Sequence, residues 1–192
     1  MLKGIGLALL VLLGLLLVVA IGLGLYVRST YNGLVERSQG VDAQWAQVET
    51  QLQRRYDLIP NLVESTKGIF NQERAVFGQL ADARSRYAGA ATTSDKAAAA
   101  TQLDSALARL LVIVENYPDI RSQGNVTQLM DELAGTENRI AVERRRYNET
   151  VLSYNTMIKR FPSVIVASMF GFGDRAYFRA VSGADGAPKV SF

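Results

Sequence analysis

From Gly4 to Val27 the chain carries no charged residue. At about 1.5 Å per residue, a helix of that run reaches roughly 36 Å, beyond the roughly 30 Å hydrocarbon core of a bilayer. An unpaired backbone group is costly in hydrocarbon, so the run is expected to be one continuous helix despite Gly14, Gly22 and Gly24. Tyr26 falls where an interfacial aromatic would sit. A cleaved signal peptide is the rival reading. Its apolar core usually spans about 7–15 residues, and no clear A-x-A site precedes Arg28, so an uncleaved, single-pass N-terminal signal anchor is expected. Lys3 flanks one end and Arg28 and Arg37 the other, which leaves the positive-inside rule almost balanced. The expected organisation is a flank at 1–3, an anchor at 4–27, a helical domain at 28–161, and a short apolar helix with a tail at 162–192.

The remaining residues suffice for one modest domain. The sequence has neither cysteine nor histidine. That removes thiolate nucleophiles, disulfides, imidazole bases and Cys/His metal sites, and no catalytic residue, cofactor site or metal site is assigned. Lys and Arg number 21 against 18 Asp and Glu, a balance too mild to imply nucleic acid. The basic clusters Arg54-Arg55 and Arg144-Arg145-Arg146 lie among Asp57, Glu143 and Glu149, as on a solvated helix surface.

Beyond Arg28, apolar residues recur at steps of three, four and seven: Leu34, Val41, Trp45, Val48, Leu52, Tyr56 and Ile59. Such steps put them on one helix face, and Trp45 is expected to be buried there. A second stretch carries Leu62, Val63, Ile69, Phe70, Phe77 and Leu80 up to Gly89. Pro60 cannot donate to the carbonyl of Tyr56, so the two stretches form either one kinked helix or two helices with a tight break. Ser94-Asp95 open another helix whose stripe, Leu103, Leu107, Leu110, Leu111 and Val114, runs to Pro118. Asn125 is placed as the cap of the last long helix, with Gln128 in the capping-box position. Its apolar positions Val126, Leu129, Leu133, Ile140, Tyr147, Val151, Tyr154, Ile158 and Phe161 sustain a heptad-like rhythm. Each helix is apolar on one face only. The expected fold is therefore all-α: a transmembrane helix followed by an elongated antiparallel three- or four-helix bundle with long kinked helices. No strand is expected, except that the tail Lys189-Val190-Ser191-Phe192 either docks as an extended segment or is disordered.

Two groups of residues stand out. Arg54, Asp57 and Asn61 on one segment and Glu137, Asn138, Arg145 and Asn148 on another are dense in carboxylates, guanidiniums and amides. Facing helices could use them to hold an anion or metal, but an interhelical polar network that fixes register is the favoured reading. The second group is the run from Phe161 to Phe172, unusually apolar for a chain end. Pro162 suits the start of a short helix near Ser163–Phe170 and Gly171 its end. Val164, Ile165, Met169, Phe170 and Phe172 then form a candidate interaction surface against the bundle, a neighbouring subunit or lipid.

Several segments resemble the LemA family: Tyr31-Asn32 with Leu34-Val35, Leu52 through Val63, Glu115 with Tyr117-Pro118-Asp119, Thr136 through Ala141, Arg144 through Asn148, Arg160-Phe161-Pro162, Gly171-Phe172 and the terminal Pro188 through Phe192. The similarity covers nearly the whole chain after the anchor. It implies a bacterial membrane-anchored helical bundle in a family linked with envelope processes and membrane proteases, and it supplies no catalytic residues. The expected function is that of a non-enzymatic scaffold or adaptor in the inner membrane. Its expected partners are the lipid bilayer, further copies of itself and other membrane proteins such as membrane proteases, with no nucleic acid and no cofactor. The alternative is a membrane-shaping assembly protein.

Overall fold

A computed structural model of the protein describes residues 2–69 and 71–178. Phe70 and the tail 189–192 therefore lie outside the described residues. Among the described residues six helices follow one another: α1 (Leu2–Ser65), α2 (Arg74–Gly89), α3 (Thr93–Glu115), α4 (Pro118–Arg121), α5 (Gly124–Lys159) and α6 (Ser163–Met169). A 3₁₀ turn, Lys67–Ile69, separates α1 from α2. No strand occurs among the described residues, and the fold is all-α.

Pro60 lies inside α1 and does not end it. The end comes at Thr66, whose amide and Oγ1 both donate to the carbonyl of Leu62 (3.0 and 2.8 Å). The apolar stretch through Leu80 is thus split between the last turns of α1 and a separate α2. Thr92 caps α3 by accepting the Asp95 amide (3.1 Å), so that helix starts a residue earlier than its acidic first turn suggests. Asn125 does not cap α5. The helix already includes Gly124, and Asn125 instead donates from Nδ2 to Ser65 Oγ (3.1 Å).

Contacts divide the chain into two units. One takes the residues up to Asp42 together with Thr150–Arg175, and the other takes Ala43–Glu149 with the described residues from Ala176 on. α1 and α5 contribute to both.

In the first unit the large apolar side chains of α1 from Leu9 to Leu25 are at least half exposed, with Val19 at 50% and Leu10 at 68%. Packing begins at the end of the charge-free run: Val27 is half-buried and Thr30 and Leu34 are buried. α5 lies antiparallel to α1 here. Met157 Cε would sit 3.2 Å from a Cβ at Gly33, Arg37 donates to Ser153 Oγ, and Thr150 Cγ2 is 3.9 Å from the corresponding position of Gly40. Gly33 thus admits the Met157 side chain close to the α1 backbone.

The second unit has a core of Ile59, Leu62, Ile69, Phe77, Leu80, Leu103, Leu107, Leu110, Val114, Val126 and Leu133. α2 and α3 form an antiparallel pair, with Arg109 donating to Gln79 Oε1 (2.9 Å) and Arg86 to Gln102 Oε1 (3.2 Å). α3 is long and apolar enough to cross a membrane. Here, however, its stripe Ala99, Ala100, Leu103, Ala106, Leu107, Leu110 and Val114 is buried inside the protein, which explains its composition without lipid. Trp45, expected in the core, is only half-buried. Its ring packs edge-on against Tyr147 (5.4 Å between centroids) and tilted against Phe178 (6.1 Å), because the phase of α1 puts Val41 and Val48, not position 45, at the centre of the contact.

Candidate functional site

The chief buried charge cluster of the second unit is built on Arg55, which is 4% exposed. Leu34, Val41, Val48 and Leu62 recur at sevens along α1, and Arg55 occupies the same series. The helix phase that buries those aliphatic residues therefore carries a guanidinium inward with them. Its Nη1 meets Asp104 of α3 and its Nη2 meets Glu137 of α5. Asp104 also accepts from Arg144 Nη2 at 2.7 Å, and the Arg144 guanidinium lies 4.4 Å from the centroid of the Phe178 ring. Two guanidiniums thus face two carboxylates, and α1, α3 and α5 are joined by charge-assisted hydrogen bonds. This chemistry holds helices in register.

The residues singled out in the sequence divide among different places. Glu137 belongs to the Arg55 cluster. Arg54, Asp57 and Asn61 are exposed; they share an outward face of α1 with Thr50 and Leu58, and Asp57 accepts from Gln53 Nε2 within the same helix (2.8 Å). They sit off the Val48–Leu52–Ile59 face, and so the network expected around Arg54 and Asp57 forms around Arg55 instead. Arg54 also borders an open groove of about 700 Å³ with Asp131, Thr136 and Arg139. Arg145 is exposed and lies 4.0 Å from Glu149 on its own helix, and Asn138 is exposed. No group of three or more acidic residues able to hold a metal occurs among the described residues.

Asn148 does something that the sequence does not announce. In the second unit its Nδ2 donates to the carbonyl of Phe178 (2.9 Å) while its Oδ1 accepts the Phe178 amide (2.8 Å), and Tyr147 Oη donates to the carbonyl of Ala176 (2.9 Å). In the first unit Asn155 brackets Arg175 in the same way (2.9 Å for each bond), and Tyr154 Oη donates to the carbonyl of Gly173 (3.1 Å). Each Tyr-Asn pair of α5 thus meets backbone groups of a segment that has no regular secondary structure among the described residues. The two Tyr-Asn pairs stand seven residues apart on α5, and the residues that their asparagines bracket stand three apart in sequence. Burial pushes the Tyr154 phenol above its usual pKa, with the Arg175 charge pulling it back down. Arg175 itself donates to Ser38 Oγ and Asp42 Oδ2, both at 3.0 Å.

The second candidate surface lies in the first unit. Ser163, Val166 and Ala167 of α6 are buried, whereas Phe161, Val164, Ile165, Met169 and Phe170 are exposed and Phe172 is half-buried. Ser163 Oγ donates to the carbonyls of Met157 and Arg160 (2.6 and 2.7 Å) and ties the start of α6 to the end of α5. At its other end Gly171 (φ +74°) lets the Phe172 amide reach the carbonyl of Ala167 (2.9 Å), a Schellman closure. The reversal brings the rings of Phe170 and Phe172 edge-on to Tyr31 of α1, at centroid separations of 4.8 and 5.7 Å.

The model of the LemA family matches residues 44–192. The chain belongs to the LemA family. Similar curated proteins include magnetosome proteins MamQ 1 and MamQ 2 of Paramagnetospirillum magneticum, each 29% identical over 181 residues, and magnetosome protein MamQ of Magnetospirillum gryphiswaldense, 27% identical over the same length. These matches cover 81% of this LemA chain and 66% of each relative, so the chain spans about two thirds of their length.

Proposed function

We propose that this LemA-family chain is a non-enzymatic scaffold or adaptor held in the bacterial inner membrane by one uncleaved helix. In this reading it self-associates and presents its second unit to other membrane proteins, membrane proteases among them. The observation that carries the reading is the contrast within α1. Its charge-free part is bare, while from Thr30 onward its inward side chains are buried, as in a helix that passes from lipid into a folded domain. The buried polar chemistry supports a structural role: Arg55, Asp104, Glu137 and Arg144 neutralise one another. The similar MamQ proteins carry the name of a cellular structure, not of a reaction. Crosslinking of native membranes followed by mass spectrometry tests this function. The scaffold reading expects recurrent self-crosslinks and defined membrane-protein partners; a strict monomer in mild detergent with no crosslinked partner sinks it. Membrane shaping is the second reading and draws on the exposed apolar face of α6. Liposomes that keep their shape at high protein density count against it.

A further inference from the structure

The run from Phe161 to Gly173 contains no charge and is preceded by Lys159-Arg160 and followed by Asp174-Arg175. Its inward positions are small or aliphatic, and its outward positions are the large apolar ones, the reverse of a helix that faces water. Contacts within the first unit fix where this face lies along α1. Arg37 reaches Ser153, the Gly33 position lies against Met157, and Tyr31 meets Phe170 and Phe172. Arg37, Gly33 and Tyr31 follow Val27 by ten, six and four residues, or about 15, 9 and 6 Å of helix rise. The apolar face of α6 is therefore attached to α1 where its bare apolar surface ends. The headgroup layer outside the hydrocarbon is roughly 5–8 Å deep on each side. A ring about 6 Å beyond the end of the apolar run falls within that layer, where amphipathic helices lie with their apolar face at the acyl boundary.

We propose that α6 is an interfacial lipid-docking helix: Val164, Ile165, Met169 and Phe170 insert into the boundary of the bilayer that holds α1, with Arg28 and Arg160 at the level of its phosphates. The proposal rests on the anchor reading and extends it from one membrane contact to two. Lipid fits better than a second copy of the chain because Tyr31 joins the patch to α1 one turn beyond its bare surface, and because Arg28, three residues before Tyr31, and Arg160, next to Phe161, are exposed cations that suit anionic headgroups. Tyr31 joins α6 to α1 at this level.

The chain has no cysteine, so single cysteines carry spin labels without background. Full-length protein with Ile165→Cys, Leu15→Cys or Leu152→Cys is reconstituted into phosphatidylcholine–phosphatidylglycerol vesicles, and collision with oxygen, which concentrates in lipid, is compared with collision with a water-soluble nickel chelate. Leu15 reports the anchor, and Leu152, exposed and beside Ser153 in sequence, reports water. The proposal expects an oxygen-to-nickel ratio at Ile165 several-fold above that at Leu152 and below that at Leu15. A ratio at Ile165 equal to that at Leu152 overturns it, as does shielding from both reagents, which marks cover by protein. If Leu15 itself reports water, the anchor reading fails and the inference falls with it. Met169→Cys, on the same face, decides the matter should Ile165→Cys not fold.

Discussion

Arg55 shows how position on a helix outweighs residue type. Its guanidinium is buried because it shares a heptad series with Leu34, Val41, Val48 and Leu62, and once buried it requires carboxylates. Removing one partner of a buried pair typically costs about 3–5 kcal/mol, whereas an exposed pair contributes about 0–1. The side chain of Asp104 is 20% exposed and serves two guanidiniums, while that of Glu137 is 50% exposed and serves one. Asp104→Ala is accordingly expected to lower stability by about 3 kcal/mol or more and Glu137→Ala by about 1 or less, as read from urea midpoints. The opposite order would show that Glu137 is the partner that holds Arg55. Tyr87 gives a second test. Burial, reinforced by the carboxylates of Glu49 and Asp57 and by the Tyr56 phenol, pushes its pKa from 10.0 up to about 12. The unfolded chain thus loses this proton first, so stability is full below pH 10 and falls as pH rises toward 12, by about 2–3 kcal/mol in all. Tyr87→Phe should flatten that alkaline decline. An unchanged slope in the variant would show that another group drives it.

At the scale of elements, the segment 173–178 illustrates a way of ordering chain without regular structure. Backbone outside helices and sheets has donors and acceptors that must be met somewhere. In each unit an asparagine of α5 offers one donor and one acceptor to the amide and carbonyl of a single residue. Asn155→Ala leaves both groups of Arg175 unpaired in a part-buried setting, and about 1–3 kcal/mol of local stability is expected to go with them. Hydrogen exchange reads this directly: the Arg175 amide should lose protection while amides in α3 keep theirs. Retained protection at Arg175 would mean that the side chains of the segment hold it, not the clasp. Asn155→Asp should also fail to rescue, since a carboxylate can accept from the amide but has no hydrogen for the carbonyl.

For the whole molecule, the charge-free residues of α1 are separate from those that make the chain fold. No side chain from Leu9 to Leu25 is buried. Removal of residues 1–25 is therefore expected to leave a domain that unfolds cooperatively, with stability changed by about 0.5 kcal/mol or less, the range typical of surface changes. Thermal unfolding followed by circular dichroism measures this, and a broad, non-cooperative melt would show that the anchor supports the fold.

The sequence by itself determined the all-α class, the long charge-free N-terminal helix, most of the buried stripes and the short helix at Ser163, since these follow from local quantities: charge along the chain, the 3.6-residue period, proline and glycine at helix ends. It marked Asn148 and Glu137 as polar groups of consequence. It did not assign their partners, because a period gives the phase of one helix and says nothing of which helix lies opposite. Asp104 carries no local signal at all. It follows Leu103 on α3 and reads as a solvated flank until α3 is set beside α1, where it becomes the counter-charge of Arg55. Arg55 was legible in principle, as the polar member of an apolar heptad series. Tertiary structure alone decided the two clasps, because hydrogen bonds between a helix side chain and backbone distant in sequence depend on chain reversal through α6. It also decided that the large apolar residues of α6 face outward, because the smaller Ser163, Val166 and Ala167 are the ones that fit against the rest of the unit.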